Sequence, residues 1–197
     1  MRIARGSLLI VFAGLLVSAS VAQAGGLLGA RLGTAIANVS TTSASNTIDM
    51  ANRNGFTATG FLQMGDGLIS LQPELGYVEK GVTDKLTSSN FQFNYAEVAG
   101  LVKLSVPMMP IRTHVFGGLG ADVNVKTIAP TGTTLNVKKL DWNALFGGDI
   151  SLGVAGLNFM ADGRYAMGLN AVTSASSVVA DAKNRAWMLS AGVAFKF

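Results

Sequence analysis

The apolar positions of this chain recur at every second residue, in runs set apart by polar stretches. The plainest run lies at 185–197. Trp187, Leu189, Ala191, Val193, Phe195 and Phe197 are apolar, while Met188, Ser190, Gly192, Ala194 and Lys196 between them are mostly small or polar. A period of two is the signature of a β-strand whose two faces meet different surroundings. A strand that crosses a bilayer needs about 9–11 residues with one face apolar throughout. A strand of a soluble sandwich is the competing reading of this segment alone.

Seven further runs carry the same alternation. They fall at 28–38, 55–64, 68–78, 91–106, 111–126, 140–154 and 157–171. Four polar stretches, at 39–54, 79–90, 127–139 and 172–184, are rich in Ser, Thr, Asn and Lys. The other connections are short: Gly65-Asp66-Gly67, Pro107-Met108-Met109-Pro110 and Ala155-Gly156. Gly-Asp-Gly and Ala-Gly are tight-turn signals. Eight strands joined by short turns and long loops in alternation predict an all-β, eight-stranded antiparallel up-and-down transmembrane β-barrel with both ends on one side. Short turns then face the periplasm and long loops the exterior.

The aromatic residues agree with this. Phe56, Tyr77, Trp142 and Trp187 fall near the outer ends of their strands, and Phe159, Phe195 and Phe197 near the other ends. Two aromatic girdles are expected of a membrane barrel. Two positions break the rhythm. Pro73 lacks an N–H and predicts a local irregularity. Phe91, Phe93 and Tyr95 share the parity of Glu97, which predicts either a bulge that flips the phase or aromatics standing above the membrane.

Residues 1–24 read as a signal peptide, with Arg2 and Arg5, an apolar run from Leu8 to Val17, and Ala22-Gln23-Ala24 as the expected cleavage site. The barrel domain is then 25–197. Removing Arg2 and Arg5 takes Lys+Arg from 15 to 13 against 11 Asp+Glu, a net charge of about +2. That balance gives no reason to expect a nucleic-acid partner. The chain has no Cys, which excludes disulfides, thiolate metal sites and anchoring through a lipidated cysteine.

Several stretches resemble the PorT-type outer-membrane β-barrel family. They are Gly55-Phe56, Ser70-Leu-Gln-Pro-Glu-Leu-Gly-Tyr77 with Lys80-Gly81, and Tyr95-Ala-Glu-Val98 with Lys103. Phe116-Gly-Gly-Leu-Gly120, Asp162-Gly-Arg-Tyr-Ala-Met-Gly-Leu169 and Asn184-Arg-Ala-Trp187 with Phe197 complete the set. The proline that the family usually carries after the tyrosine is absent from Ala96-Glu97-Val98-Ala99. The resemblance implies an outer-membrane location, and it includes members implicated in type IX secretion. It also implies an assembly role for the terminal aromatic Phe197, with the barrel assembly machinery engaging the last strand.

The inward parity collects Arg31, Lys103, Arg112 and Arg164 with Glu74, Glu97, Asp122, Asp149 and Asp162. An eight-stranded barrel is only wide enough for side chains to fill it, and buried charges must be paired. These residues are therefore expected to form a lumen charge network that plugs the barrel, with Glu97 paired to Arg31, Lys103 or Arg164. A proton or ion path is the sharper alternative. Lys80, Lys85, Lys138, Lys139, Asp49 and Asp181 are assigned to the loops.

His114 is the only histidine. A lipid-modifying enzyme would use it with a Ser and Glu97, but its parity points away from lipid and no nucleophile motif surrounds a serine. Neither enzymatic activity, nor a cofactor, nor a metal site is expected: one His and no Cys argue against zinc. Asp66 starts no calcium loop. Gly117-Gly118-x-Gly120 has no helix after it to bind nucleotide. The expected role is a structural or interaction protein, monomeric, bounded by outer-membrane lipid, with its external loops as contact surface for an envelope partner. A narrow channel or small-ligand carrier, and a secretion-system accessory, are the alternatives.

Overall fold

The computed structural model describes residues 25–40, 50–65, 67–84, 90–108, 111–128, 138–170 and 183–197. The expected signal peptide and Lys85, Asp49 and Asp181 lie outside these residues. Among them are eight strands: β1 (Gly26–Ser40), β2 (Met50–Met64), β3 (Ile69–Asp84), β4 (Asn90–Met108), β5 (Ile111–Ile128), β6 (Leu140–Val154), β7 (Leu157–Gly168) and β8 (Lys183–Lys196). Each pairs antiparallel with the next, and β8 pairs with β1 to close the barrel. Several strands outrun their alternating sequence. β2 begins at Met50 and β3 continues to Asp84, because backbone pairing with a neighbour continues after the apolar pattern stops.

The pairing is staggered. One circuit leaves β1 at Gly26, passes Met64, Leu71, Val102, Gly117, Phe146, Tyr165 and Trp187, and returns to β1 at Ile36, ten residues further on. A stagger of this kind tilts strands by about 35–45° to the barrel axis. Inward side chains far apart in sequence are thereby brought to one height.

Parity decides the two faces as expected. Leu32, Leu75, Val102, Leu119, Ile150 and Leu189 are exposed on the outer wall. No apolar neighbour covers them, so the hydrocarbon of a bilayer is their solvent. Tyr165 and Trp187 meet on this wall toward the long-connection end, with ring centroids 5.0 Å apart and planes tilted by 48°. Ala155 and Gly156 both have positive φ, 51° and 84°, the two-residue hairpin geometry whose twist suits the flanking strands.

At Pro73 the ladder to β4 holds its register through Gly100. Pairing with β2 is interrupted between Phe61↔Glu74 and Met64↔Leu71 without a shift of register. The aromatic stretch of β4 does not flip its phase. Its register to β5 does shift beside Asn94 and Tyr95, yet Phe93 and Tyr95 are buried and face inward with Glu97. They fill the lumen with Leu101, Phe116, Leu145 and Met188. A smaller apolar cluster of Leu27, Phe61, Met160 and Ala194 occupies the short-turn end.

The β1–β8 seam depends on a close approach at Gly192. A Cβ there would lie 2.2 Å from the Ala30 carbonyl oxygen and 2.6 Å from Arg31 Cβ. Gly192→Val is expected to destabilise the closed barrel by about 3 kcal/mol, since the obstacle is backbone that cannot turn aside. At Gly60 the nearest atom is 3.9 Å away, so Gly60→Ala should be tolerated. Heat-modifiable mobility on SDS gels, which separates closed from unfolded barrel, reads both variants. Equal closed fractions would contradict the seam geometry.

Candidate functional site

The inward strand faces build three polar layers. Nearest the short turns, Lys103 lies 2.7 Å from Asp149 and donates to Gln72 at 3.0 Å and Gln63 at 3.2 Å. His114 donates from Nδ1 to the other Asp149 oxygen at 2.7 Å. The only histidine thus sits within a structural ion cluster, turned away from the lipid face.

The middle layer centres on Glu74. Its Oε2 accepts from Arg31 at 2.6 Å and from Arg164 at 2.7 Å, and its Oε1 accepts from Gln72 at 2.6 Å. Arg164 also holds Asp162 through two contacts of 3.1 Å, and Ser190 donates to Asp162 at 2.9 Å. Each guanidinium stands over an aromatic face, Arg31 over Phe61 at 5.4 Å and Arg164 over Phe116 at 5.2 Å. Arg31, Lys103 and Arg164 are thus matched by Glu74, Asp149 and Asp162. Gln72 joins the two layers by bonding both Lys103 and Glu74.

The third layer lies toward the long connections and departs from expectation. Lys80, assigned to a loop, is buried on β3 and paired with Asp122. Its even position continues the inward parity of Glu74 once β3 is followed past Val78. Glu97 makes no ion pair with Arg31, Lys103 or Arg164 among the described residues. It is the register partner of Asp122, and Asp122 is the register partner of Asp141. Asn184 donates to Asp141 at 3.0 Å and to the Tyr95 hydroxyl at 3.1 Å. Lys80 stands 5.6 Å over the Tyr95 ring.

Arg112 is a correction of another kind. It has inward parity but is exposed as the second residue of β5, opposite Ser151. Height removes it from the network, because the barrel opens at that level and the guanidinium reaches water. The buried charges among the described residues are then four cations (Arg31, Lys80, Lys103 and Arg164) and six carboxylates (Glu74, Glu97, Asp122, Asp141, Asp149 and Asp162). The excess lies wholly in the third layer. Asp141 carried the inward parity in the sequence. What the alternation could not give was the register that lines it up with Asp122 and Glu97.

Comparison with known proteins accords with this architecture. The family described as "Outer membrane protein beta-barrel domain" matches residues 21–174. No curated protein matches the sequence. Among solved structures, Neisserial surface protein A is similar at TM-score 0.57 and 13% identity, over 86% of this chain and 97% of that one. The outer membrane protein OprG from Pseudomonas aeruginosa is similar at TM-score 0.50 and 10% identity, over 87% and 96%.

Proposed function

We propose, from the premise that this chain belongs to the outer membrane protein β-barrel family, that it serves the outer membrane as a closed barrel with a structural or interaction role. The observation that carries this is the filled lumen. Tyr95, Lys80, Lys103, Leu101 and Leu145 are all under 2% or at 2% exposed, and they pack into interlocked ionic and apolar layers. Such a lumen is a strut rather than a large pore. Contact with partners is then left to the end of the barrel opposite the short turns, which face the periplasm in such barrels. The PorT-type resemblance adds a secretion accessory as a specific form of this role, resting on the quoted sequence stretches alone. A narrow channel would need the ionic layers to part.

The test joins two measurements on the intact barrel. Purified protein in planar bilayers is expected to give no resolved conductance steps. In cells, replacing 129–137 and 171–182 by short Gly-Ser links should abolish envelope cross-links while leaving heat-modifiable folding intact. Discrete conductance, or an unchanged cross-link pattern, would overturn the reading.

A further inference from the structure

The charges of β5–β8 sort to opposite faces. All the acids among the described residues of these strands, Asp122, Asp141, Asp149 and Asp162, are buried in the lumen. The outer face carries cations instead, toward the long-connection end. On β8, Lys183 and Arg185 are exposed on the side of Trp187 and Leu189, with Asn184 and Ala186 buried between them. Lys138 is exposed and shares the outward parity of Leu140 and Trp142 at the start of β6. Lys126 is exposed on β5, and its register partner Asn94 keeps the outward parity of Val98.

The stagger brings these cations to one height. A row of paired residues climbs ten residues in one circuit of the barrel, a little over one residue at each strand. Leu169 donates its N–H to the Trp142 carbonyl, and Met167 faces Arg185, so Lys183 lies in the row of Trp142. Two strands further round, Lys183 stands about two residues higher than Trp142, between it and Lys138. The Asn124 N–H donates to the Lys139 carbonyl at 2.8 Å, which carries Lys126 to the same end of β6.

Directly below the cations lie aromatic rings. Trp142 and Trp187, the two tryptophans of the chain, are 46% and 59% exposed, and Tyr165 meets Trp187. Below these again, Leu119, Phe146, Ile150 and Leu189 face hydrocarbon. Trp and Tyr mark the boundary between hydrocarbon and headgroups, so the cations stand in the headgroup layer. A soluble partner would have to reach this face through lipid. Headgroups are what meet it, and phosphate is the group that complements cations with no acid beside them.

We propose that this face of β5–β8 binds the phosphate groups of outer-leaflet lipid through Lys126, Lys138, Lys183 and Arg185. Arg185 offers a planar fork to two phosphate oxygens. Lys183 stands about 7 Å along the same strand face, and β6 with Lys138 about 10 Å across β7. The opposite half of the barrel is differently built. Arg53 there donates to Gln92 at 2.7 Å, and Glu79, bonded by the Tyr77 hydroxyl at 3.3 Å, adds an acid to the outer face. The site rests on the outer-membrane reading above, and its failure would leave the conductance and cross-link results standing.

The test titrates the full barrel in neutral detergent with bisphosphorylated lipid A, and emission from Trp142 and Trp187 reports this face directly. The wild type should give a saturable change whose midpoint rises with salt. A cation near a headgroup surface changes binding about fivefold. K138Q/K183Q/R185Q should therefore raise the midpoint about 100-fold, and Arg185→Gln alone about fivefold. Arg112→Gln, at the other end of the barrel, should leave it unchanged. Lipid A stripped of its phosphates, and inorganic phosphate at the same concentration, should both be silent. If heat-modifiable mobility shows that the triple variant does not fold, Arg185→Gln and the salt series decide. A wild-type midpoint in either variant, or one indifferent to salt, would overturn the site. So would an equal response to stripped lipid, which would mean that acyl chains alone bind, or to inorganic phosphate, which would mean a free-anion site. An Arg112→Gln loss as large as that of Arg185→Gln would reduce the effect to net charge and overturn it as well.

Discussion

Glu74→Gln is expected to cost about 3–5 kcal/mol of barrel stability, the penalty for breaking a buried ion pair from one side. The size follows from Glu74's position. It is the one carboxylate that joins Arg31, Arg164 and, through Gln72, the Lys103–Asp149 layer. Gln has the same shape but presents an amide to two guanidinium groups and cannot neutralise either. Asp162 alone would then face both arginines, Arg164 at 3.1 Å and Arg31 at 3.8 Å. Removing one arginine as well should restore balance. The E74Q/R164M double variant leaves Arg31 against Asp162, one charge of each sign. Its loss should therefore fall short of the sum of the single losses by about 1–3 kcal/mol. Urea unfolding from lipid vesicles, read by tryptophan fluorescence, gives all three values. Strict additivity would mean that water reaches these groups and that the lumen is not a packed plug.

Arginine on the wall has the second largest expected effect, from the opposite physical cause. Leu119, Ile150 and Leu189 are 59%, 51% and 56% exposed on the outer face near mid-strand. In a soluble protein such exposure would make them indifferent to a polar substitution. In a bilayer each arginine there should cost about 2–4 kcal/mol, falling to nearly nothing toward the interfaces. Arginine within 131–134, in the connection between β5 and β6, should leave stability unchanged. The comparison is made by folding yield and unfolding free energy in vesicles of one lipid. If wall and connection variants behave alike, the exposed apolar face is not a lipid face. The two predictions also separate two contributions to stability: Glu74 tests the interior, where charge must be matched, and the wall tests the exterior, where charge must be absent.

The alternation of apolar and polar residues, read alone, determined which way nearly every side chain points. This follows because a strand has a period of two, so membership of the wall or the lumen is a property of position number. Leu32, Leu119 and Leu189 on the wall, and Arg31, Glu74, Asp149, Asp162 and Arg164 inside, were legible for that reason. So was the strand count, since each polar stretch or turn motif must reverse the chain. Parity says nothing of height along the barrel axis or of which strand positions lie opposite each other. Arg112 has the inward parity and stands in water at the barrel's end. Lys80 was lost to a loop because the apolar pattern of its strand fades before the pairing does. Glu97 has no partner among the three cations expected for it, since the register of β4 with β5 and of β5 with β6 sets it in one row with Asp122 and Asp141. Register is fixed strand by strand, by backbone hydrogen bonds that carry no side-chain label. The tertiary pairing of the strands, not the alternation, therefore decided that the interior charges divide into balanced layers and one layer with acid to spare.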